Sequence, residues 1–121
     1  LRAFNEGGTF YLQDGKQTRD YLYIDDFLDL LIDYAYSPIR RDIFNCGYGK
    51  SWTMTEVIDR ISVLCPEKKG EVTSVLFKED TDYLNQSGDF SKLERVLNWK
   101  AKVSLEEGLQ RTITSWRKST F

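Results

Sequence analysis

Asp14–Asp26 reads Asp-Gly-Lys-Gln-Thr-Arg-Asp-Tyr-Leu-Tyr-Ile-Asp-Asp and combines a turn, a strand signal and a helix start. Glycine accepts backbone angles that other residues resist, so Asp14-Gly15 predicts a turn. Lys16 and Arg19 follow it. The aromatic and branched run Tyr21-Leu22-Tyr23-Ile24 predicts a strand. Asp25 and Asp26 close the stretch, and either carboxylate can cap an apolar helix pattern beginning at Phe27. An arginine at the strand's entrance can hold a phosphate or carboxylate through two parallel hydrogen bonds. It can equally pair with Asp20 or another surface acid. On these residues alone both readings stay open.

Upstream, Leu1-Arg2-Ala3-Phe4 looks like the last turn of a helix that Gly7-Gly8 ends, which suggests part of a longer chain. Thr9-Phe10-Tyr11-Leu12 is a short strand candidate. Downstream, the helix predicted from Asp26 to Tyr36 gathers Phe27, Leu28, Leu30, Leu31, Tyr34 and Ala35 on one broad core face, and Ser37-Pro38 stops it. Ile43-Phe44-Asn45-Cys46 predicts a buried strand running into Gly47-Tyr48-Gly49. Gly49-Lys50-Ser51 is not a phosphate loop, because the required earlier glycine is Phe44. Nor is it a dinucleotide fingerprint, whose third glycine would fall at Trp52. A tight strand-to-helix turn accounts for it better.

Thr53 and Glu56 form a capping box ahead of a helix carrying Val57, Ile58, Ile61, Leu64 and Cys65. Pro66 and Glu67-Lys68-Lys69-Gly70 predict a solvent-facing loop, and Val72–Phe77 a strand. Asp89 or Ser91 is expected to cap the next helix, with Ser91 and Glu94 at capping-box spacing and Leu93, Val96, Leu97 and Trp99 on its buried side. A third box at Ser104–Glu107 opens a last helix whose Leu105, Leu109, Ile113 and Trp116 recur every three or four residues. The fold class is therefore α/β in the mixed sense: a few short strands with about four helices in one domain, residues 1–121.

Seventeen basic and 19 acidic residues are interspersed, which argues against a nucleic-acid surface. No apolar run approaches the length of a membrane span and no signal peptide is visible. With no histidine and with Cys46 and Cys65 far apart, a zinc site is not expected, and no Ser-His or Cys-His nucleophile can be built. Reduced thiols in a cytoplasmic protein are the plain reading.

Three motifs carry a family resemblance. DGKQTRDYLYIDD is similar to the signature opening the C-terminal lobe of nucleotide-sugar epimerases and dehydratases, the extended short-chain dehydrogenase/reductases. IFNCGYGKSWTMTEVIDRI (Ile43 to Ile61) and GDFSKLERVLNWKAKVSLEEGLQRTITSW (Gly88 to Trp116) follow in that family's order and spacing, and resemble the UDP-glucose 4-epimerases in particular. The resemblance implies a C-terminal nucleotide-sugar-binding lobe whose NAD-binding Rossmann domain is absent from this chain. Arg19 would meet the diphosphate and Asp82 the ribose, while the backbone of Phe10 and Leu12 would run beside the base. The family's second arginine has Glu79 in its place; Lys78, one residue earlier, is the neighbouring cation. Gln86 stands where the 4-epimerases carry a tyrosine near the sugar.

The superfamily's Gly-x-x-Gly-x-x-Gly turn and Tyr-x-x-x-Lys pair do not occur in this sequence, so no catalytic, cofactor-binding or metal residue is assigned and the fragment alone is expected to be inactive. The implied function is the substrate-binding part of an NAD-dependent UDP-hexose 4-epimerase. The alternatives are a 4,6-dehydratase or related reductase of the same family, and a non-catalytic sugar-nucleotide or interaction module. The implied partners are a nucleotide-diphosphate sugar and the chain's own N-terminal Rossmann domain. Left without that domain, the lobe is expected to be marginal or to self-associate as a homodimer.

Overall fold

In the computed structural model, residues 6–13, 15–67, 70–75 and 85–119 are described, and they form two two-stranded sheets and four helices. The order is β1 (Gly8–Gln13), β2 (Thr18–Asp20), α1 (Ile24–Tyr36), β3 (Ser51–Thr53), α2 (Met54–Leu64), β4 (Gly70–Val75), α3 (Ser91–Leu97) and α4 (Leu105–Ser119). β1 and β4 pair in parallel, Gly8 opposite Gly70 through Gln13 opposite Val75. β2 and β3 pair antiparallel, with Arg19 opposite Trp52 and Asp20 opposite Ser51. The expected helix turn at Leu1–Phe4, the Asp14 side of the first turn and the end of the Val72–Phe77 strand fall outside the described residues.

Two small cores divide the apolar side chains. One joins β1, α2, β4 and α4: Ile58, Cys65 and Ile113 are buried, with Leu12, Met54, Ile61, Leu64 and Val72 against them. The other joins α1 and α3: Leu30, Leu93 and Trp99 are buried, with Leu22, Phe44, Leu97 and Ala101 around them. The segment after β2 crosses from one to the other. The Tyr21 hydroxyl lies 3.7 Å from Met54 Sδ, while Leu22 packs in the second core.

Four local expectations need correction. The run Tyr21–Tyr23 is not strand; pairing stops at Asp20 and helix starts at Ile24, because β3 offers only three residues to pair with. Asp26 does not cap α1. The N-cap is Tyr23, with extended backbone and no side-chain cap bond, and Asp26 instead turns inward from the first helical turn. Only 4% exposed, its Oδ2 accepts the backbone N–H groups of Lys102 and Val103, each at 2.9 Å. Ile43–Cys46 is not in a sheet: among the described residues no strand lies alongside it, and Ile43 is 84% exposed while Phe44 reaches the second core. Ser91 does not cap α3. Phe90 precedes it, and Asp89 Oδ1 accepts the Ser91 N–H at 2.9 Å.

The helix faces are narrower than their periodicity implied. Leu30 is buried, but Leu28 and Leu31 are each 48% exposed, and Ala35, Val96 and Trp116 are exposed as well. A stripe of Ile24, Leu28, Leu31, Ile32 and Tyr36 therefore faces outward along α1.

Of the two remaining capping boxes, Thr53–Glu56 forms both of its bonds, while Ser104–Glu107 shows the serine bond and its Glu107 carboxylate accepts Arg111. Thr53 Oγ1 accepts the Glu56 N–H at 3.1 Å and Glu56 Oε2 accepts the Thr53 N–H at 2.8 Å; Ser104 Oγ accepts the Glu107 N–H at 3.2 Å. The Thr53 N–H, and then the Thr53 hydroxyl, hold the Glu56 carboxyl below its ordinary range. Because the folded value is depressed, this contribution to stability is complete above the ordinary glutamate range and is lost as pH falls through the folded value. A carbon-detected NMR titration should find Glu56 titrating below a free glutamate in the native chain and shifting upward in Thr53→Ala. Asp26→Ala leaves two backbone N–H groups without their acceptor and should lower the unfolding free energy by about 3 kcal/mol in urea melts.

Candidate functional site

β2 is short, yet three separate pieces of chain converge on it. Its Thr18 side chain donates to Asn85 Oδ1 at 2.9 Å, and Thr18 forms a parallel bridge with Asn85. The Thr18 carbonyl accepts the backbone N–H of Gln86 at 3.3 Å and Arg19 Nη1 at 2.9 Å. Ser51 on β3 donates its hydroxyl to the Gln86 carbonyl at 3.3 Å. A bifurcated backbone carbonyl thus brings the Arg19 guanidinium and the Gln86 backbone to one point.

The third piece is the turn after Cys46. Asp20 Oδ1 accepts the Tyr48 N–H at 2.8 Å, and Oδ2 accepts the Gly49 N–H at 2.7 Å. Gly49 has φ +88°, a conformation that favours glycine. Asn45 Nδ2 donates to the Asp89 carbonyl at 3.3 Å, tying this turn to the segment before α3. The Trp52 ring on β3 takes two cations, Lys50 Nζ at 3.9 Å and Arg60 Cζ at 4.1 Å from its centroid. Arg60 Nε also donates to Glu106 Oε1 at 2.7 Å, so β3 is anchored to α4 through α2.

Between these pieces lies a cleft of about 430 Å³. Arg19 and Asp20 form one wall, Phe44, Asn45 and Cys46 a second, and Gln86, Ser87, Gly88 and Phe90 a third. The cleft is mostly polar, unlike the two smaller, mainly apolar seams of about 150–160 Å³ beside α4 and between α1 and α3. At its edge the Asp89 carboxyl is held below the usual carboxylate range, chiefly by the Ser91 backbone N–H and then by the Ser91 hydroxyl. A cleft with one arginine, one aspartate whose oxygens are taken up by backbone N–H groups, and several neutral hydrogen-bonding groups suits an anionic, hydroxyl-bearing ligand better than a metal. Among the described residues, no group of three or more His, Cys, Asp or Glu side chains is placed to hold a metal ion.

Of the residues singled out from sequence, Arg19 and Gln86 meet in this cleft. Phe10 and Leu12 lie on β1 instead: Leu12 packs its side chain into the first core and Phe10 is 41% exposed. Asp82 and Lys78 fall outside the described residues. Asp20, Phe44, Asn45, Cys46, Ser87, Gly88 and Phe90 complete the lining and were not singled out as site residues. The signal for Asn45, Cys46 and Phe90 was present only as their position inside the Asn-Cys-Gly and Gly-Asp-Phe-Ser-Lys motifs, and Ser87, just before the second, had none. The Gly47–Gly49 turn does not fit the pyrophosphate of a dinucleotide. Its Tyr48 and Gly49 N–H groups already serve the Asp20 carboxylate and are not available to phosphate oxygens.

The sequence profile described as GDP-mannose 4,6 dehydratase matches residues 3–112. Among curated relatives, a UDP-glucuronate 4-epimerase of Thermodesulfobacterium geofontis is 34% identical over 89% of this chain and 32% of its own length. UDP-glucuronic acid decarboxylase 1 of Arabidopsis thaliana is 33% identical over 86% of this chain and 23% of its own length. The chain therefore spans at most about a third of these two relatives. Among solved structures, the UDP-glucose 4-epimerase of Thermotoga maritima with UDP-glucose superposes with a TM-score of 0.84 at 26% identity, covering 99% of this chain and 38% of that one. MoeE5 in complex with UDP-glucose and NAD gives a TM-score of 0.84 at 25% identity, covering 99% and 40%. With its described elements, its three-walled cleft and this match across nearly its whole length, the chain belongs to the GDP-mannose 4,6-dehydratase family of NAD-dependent epimerases and dehydratases, a branch of the extended short-chain dehydrogenase/reductases.

Proposed function

We propose that this chain is the substrate-binding part of an NAD-dependent nucleotide-sugar epimerase acting on a UDP-hexose, and that its cleft holds the nucleotide sugar for reaction at C4. The observation that carries this reading is the meeting of Arg19 and Gln86 in one polar cleft. A guanidinium anchored on its own strand can grip a diphosphate with paired, charge-assisted hydrogen bonds. An amide three residues before Asp89 can reach sugar hydroxyls as donor or acceptor. Asp82, Lys78 and the backbone of Phe10 and Leu12 belong to the same proposal as contacts to ribose, diphosphate and base.

In this reading NAD is held by a larger Rossmann portion of the protein, and this chain contributes orientation: binding energy from the distant nucleotide fixes where the sugar sits. The outward apolar stripe of α1 and exposed Ile43 are the surface assigned to contact with that portion. The relatives are named as epimerases, decarboxylases and a reductase, so nucleotide-sugar binding is the part of the proposal that their names share. No helix among the described residues is long and apolar enough to cross a membrane, and a cytoplasmic location is part of the same proposal.

Arg19→Ala in the full-length protein should raise the dissociation constant for UDP-glucose by about 10- to 100-fold, with the melting temperature little changed. Arg19→Lys should fall between, keeping charge but losing the planar fork. Unchanged affinity in Arg19→Ala, measured by calorimetry, would overturn the assignment.

A further inference from the structure

We propose that Asp20 is a positioning residue for nucleotide binding, acting through Arg19 rather than on the ligand. The inference rests on the reading of the cleft given above and deepens it. β2 and β3 share only three residue pairs, too short a ribbon to hold a guanidinium in one place by itself. Asp20 ends that ribbon, next in sequence to Arg19, and its two oxygens each take a backbone N–H of the facing turn, Tyr48 and Gly49. This is a charge-assisted clamp between two walls of the cleft.

The space around the clamp is filled. A Cβ on Gly47 would come 2.9 Å from Asp20 Oδ2 on one side and would collide with the tip of the Phe90 ring on the other. A Cβ on Gly88 would lie 2.6 Å from Phe90 Cε1. The carboxylate of Asp20 and the ring of Phe90 thus press on Gly47, and the ring also presses on Gly88, so the three walls are set against one another. Moving Asp20 moves the wall on which Arg19 stands. The carboxylate lines an anion-seeking cleft without being its ligand group, because two N–H dipoles already compensate its charge.

A double-mutant cycle on binding of UDP to the full-length protein tests this, with Asp20→Asn, Arg19→Ala and the double variant followed by calorimetry. Asp20→Asn keeps the size of the side chain but turns an NH₂ toward one of the two N–H donors. It should weaken UDP binding by about tenfold when Arg19 is present and by less than about twofold when Arg19 is alanine. Equal losses in both backgrounds would show that Asp20 supports only the fold and would overturn the proposal, as would no loss in either. If Arg19→Ala itself leaves UDP affinity unchanged, the binding reading falls and this proposal with it. Gly47→Ala displaces the carboxylate while keeping its charge. Should Asp20→Asn fail to fold, Gly47→Ala must show the same dependence on Arg19, and additive losses would again overturn the proposal.

Discussion

Aspartate carboxylates that accept loop N–H groups hold this chain together. Asp26 is the buried case: it leaves the first turn of α1 and satisfies Lys102 and Val103, the residues that lead into α4. Without that acceptor two donors would be desolvated with nothing to bond, a cost comparable to losing a core side chain. The contact lets α4 start where Leu105 can bury, and Gly108 then comes close under Tyr23, with room for no more than a hydrogen there without a shift of the ring. The second core alone, built on Leu30, Leu93 and Trp99, is too small to specify where that loop goes.

Asp20 repeats the device at the surface, and the cleft is its consequence. A three-residue strand, a glycine turn and the segment before α3 have little apolar area among them, so burial cannot set their spacing. Hydrogen bonds do it instead: Thr18 to Asn85, Gln86 to Thr18, Tyr48 and Gly49 to Asp20, Asn45 to Asp89. Such bonds fix direction more sharply than packing does, which suits the ligand-orienting role proposed for the cleft.

On the proposed reading, the lobe serves chemistry that happens elsewhere in the protein. Relatives named for epimerisation, decarboxylation and reduction match this same stretch. A nucleotide handle can be gripped in one way while the fate of the sugar is decided beside the cofactor. That division would account for a chain whose sequence offers an arginine proposed for binding and no Tyr-x-x-x-Lys pair.

The residues by themselves determined whatever depends on near neighbours. Thr53 and Glu56 cap a helix because their partners sit three positions apart, Pro38 and Gly49 mark a stop and a turn through their own backbone preferences, and three ordered motifs pointed to the family. Arg19 was legible as a candidate for the same local reason. Tertiary structure decided the rest. Ile43–Cys46 has the composition of a strand but no strand beside it among the described residues, and a strand exists only through its partner. Asp26 was read as a cap from its neighbours, and became a buried acceptor because a loop 76 residues away needed one. Likewise Leu28 and Leu31 have the period of a core face, yet only packing decides which part of a broad apolar face is covered. The meeting of Arg19 with Gln86, and the place of Asp20 between Tyr48 and Gly49, are distances across the fold, and local pattern holds no record of them.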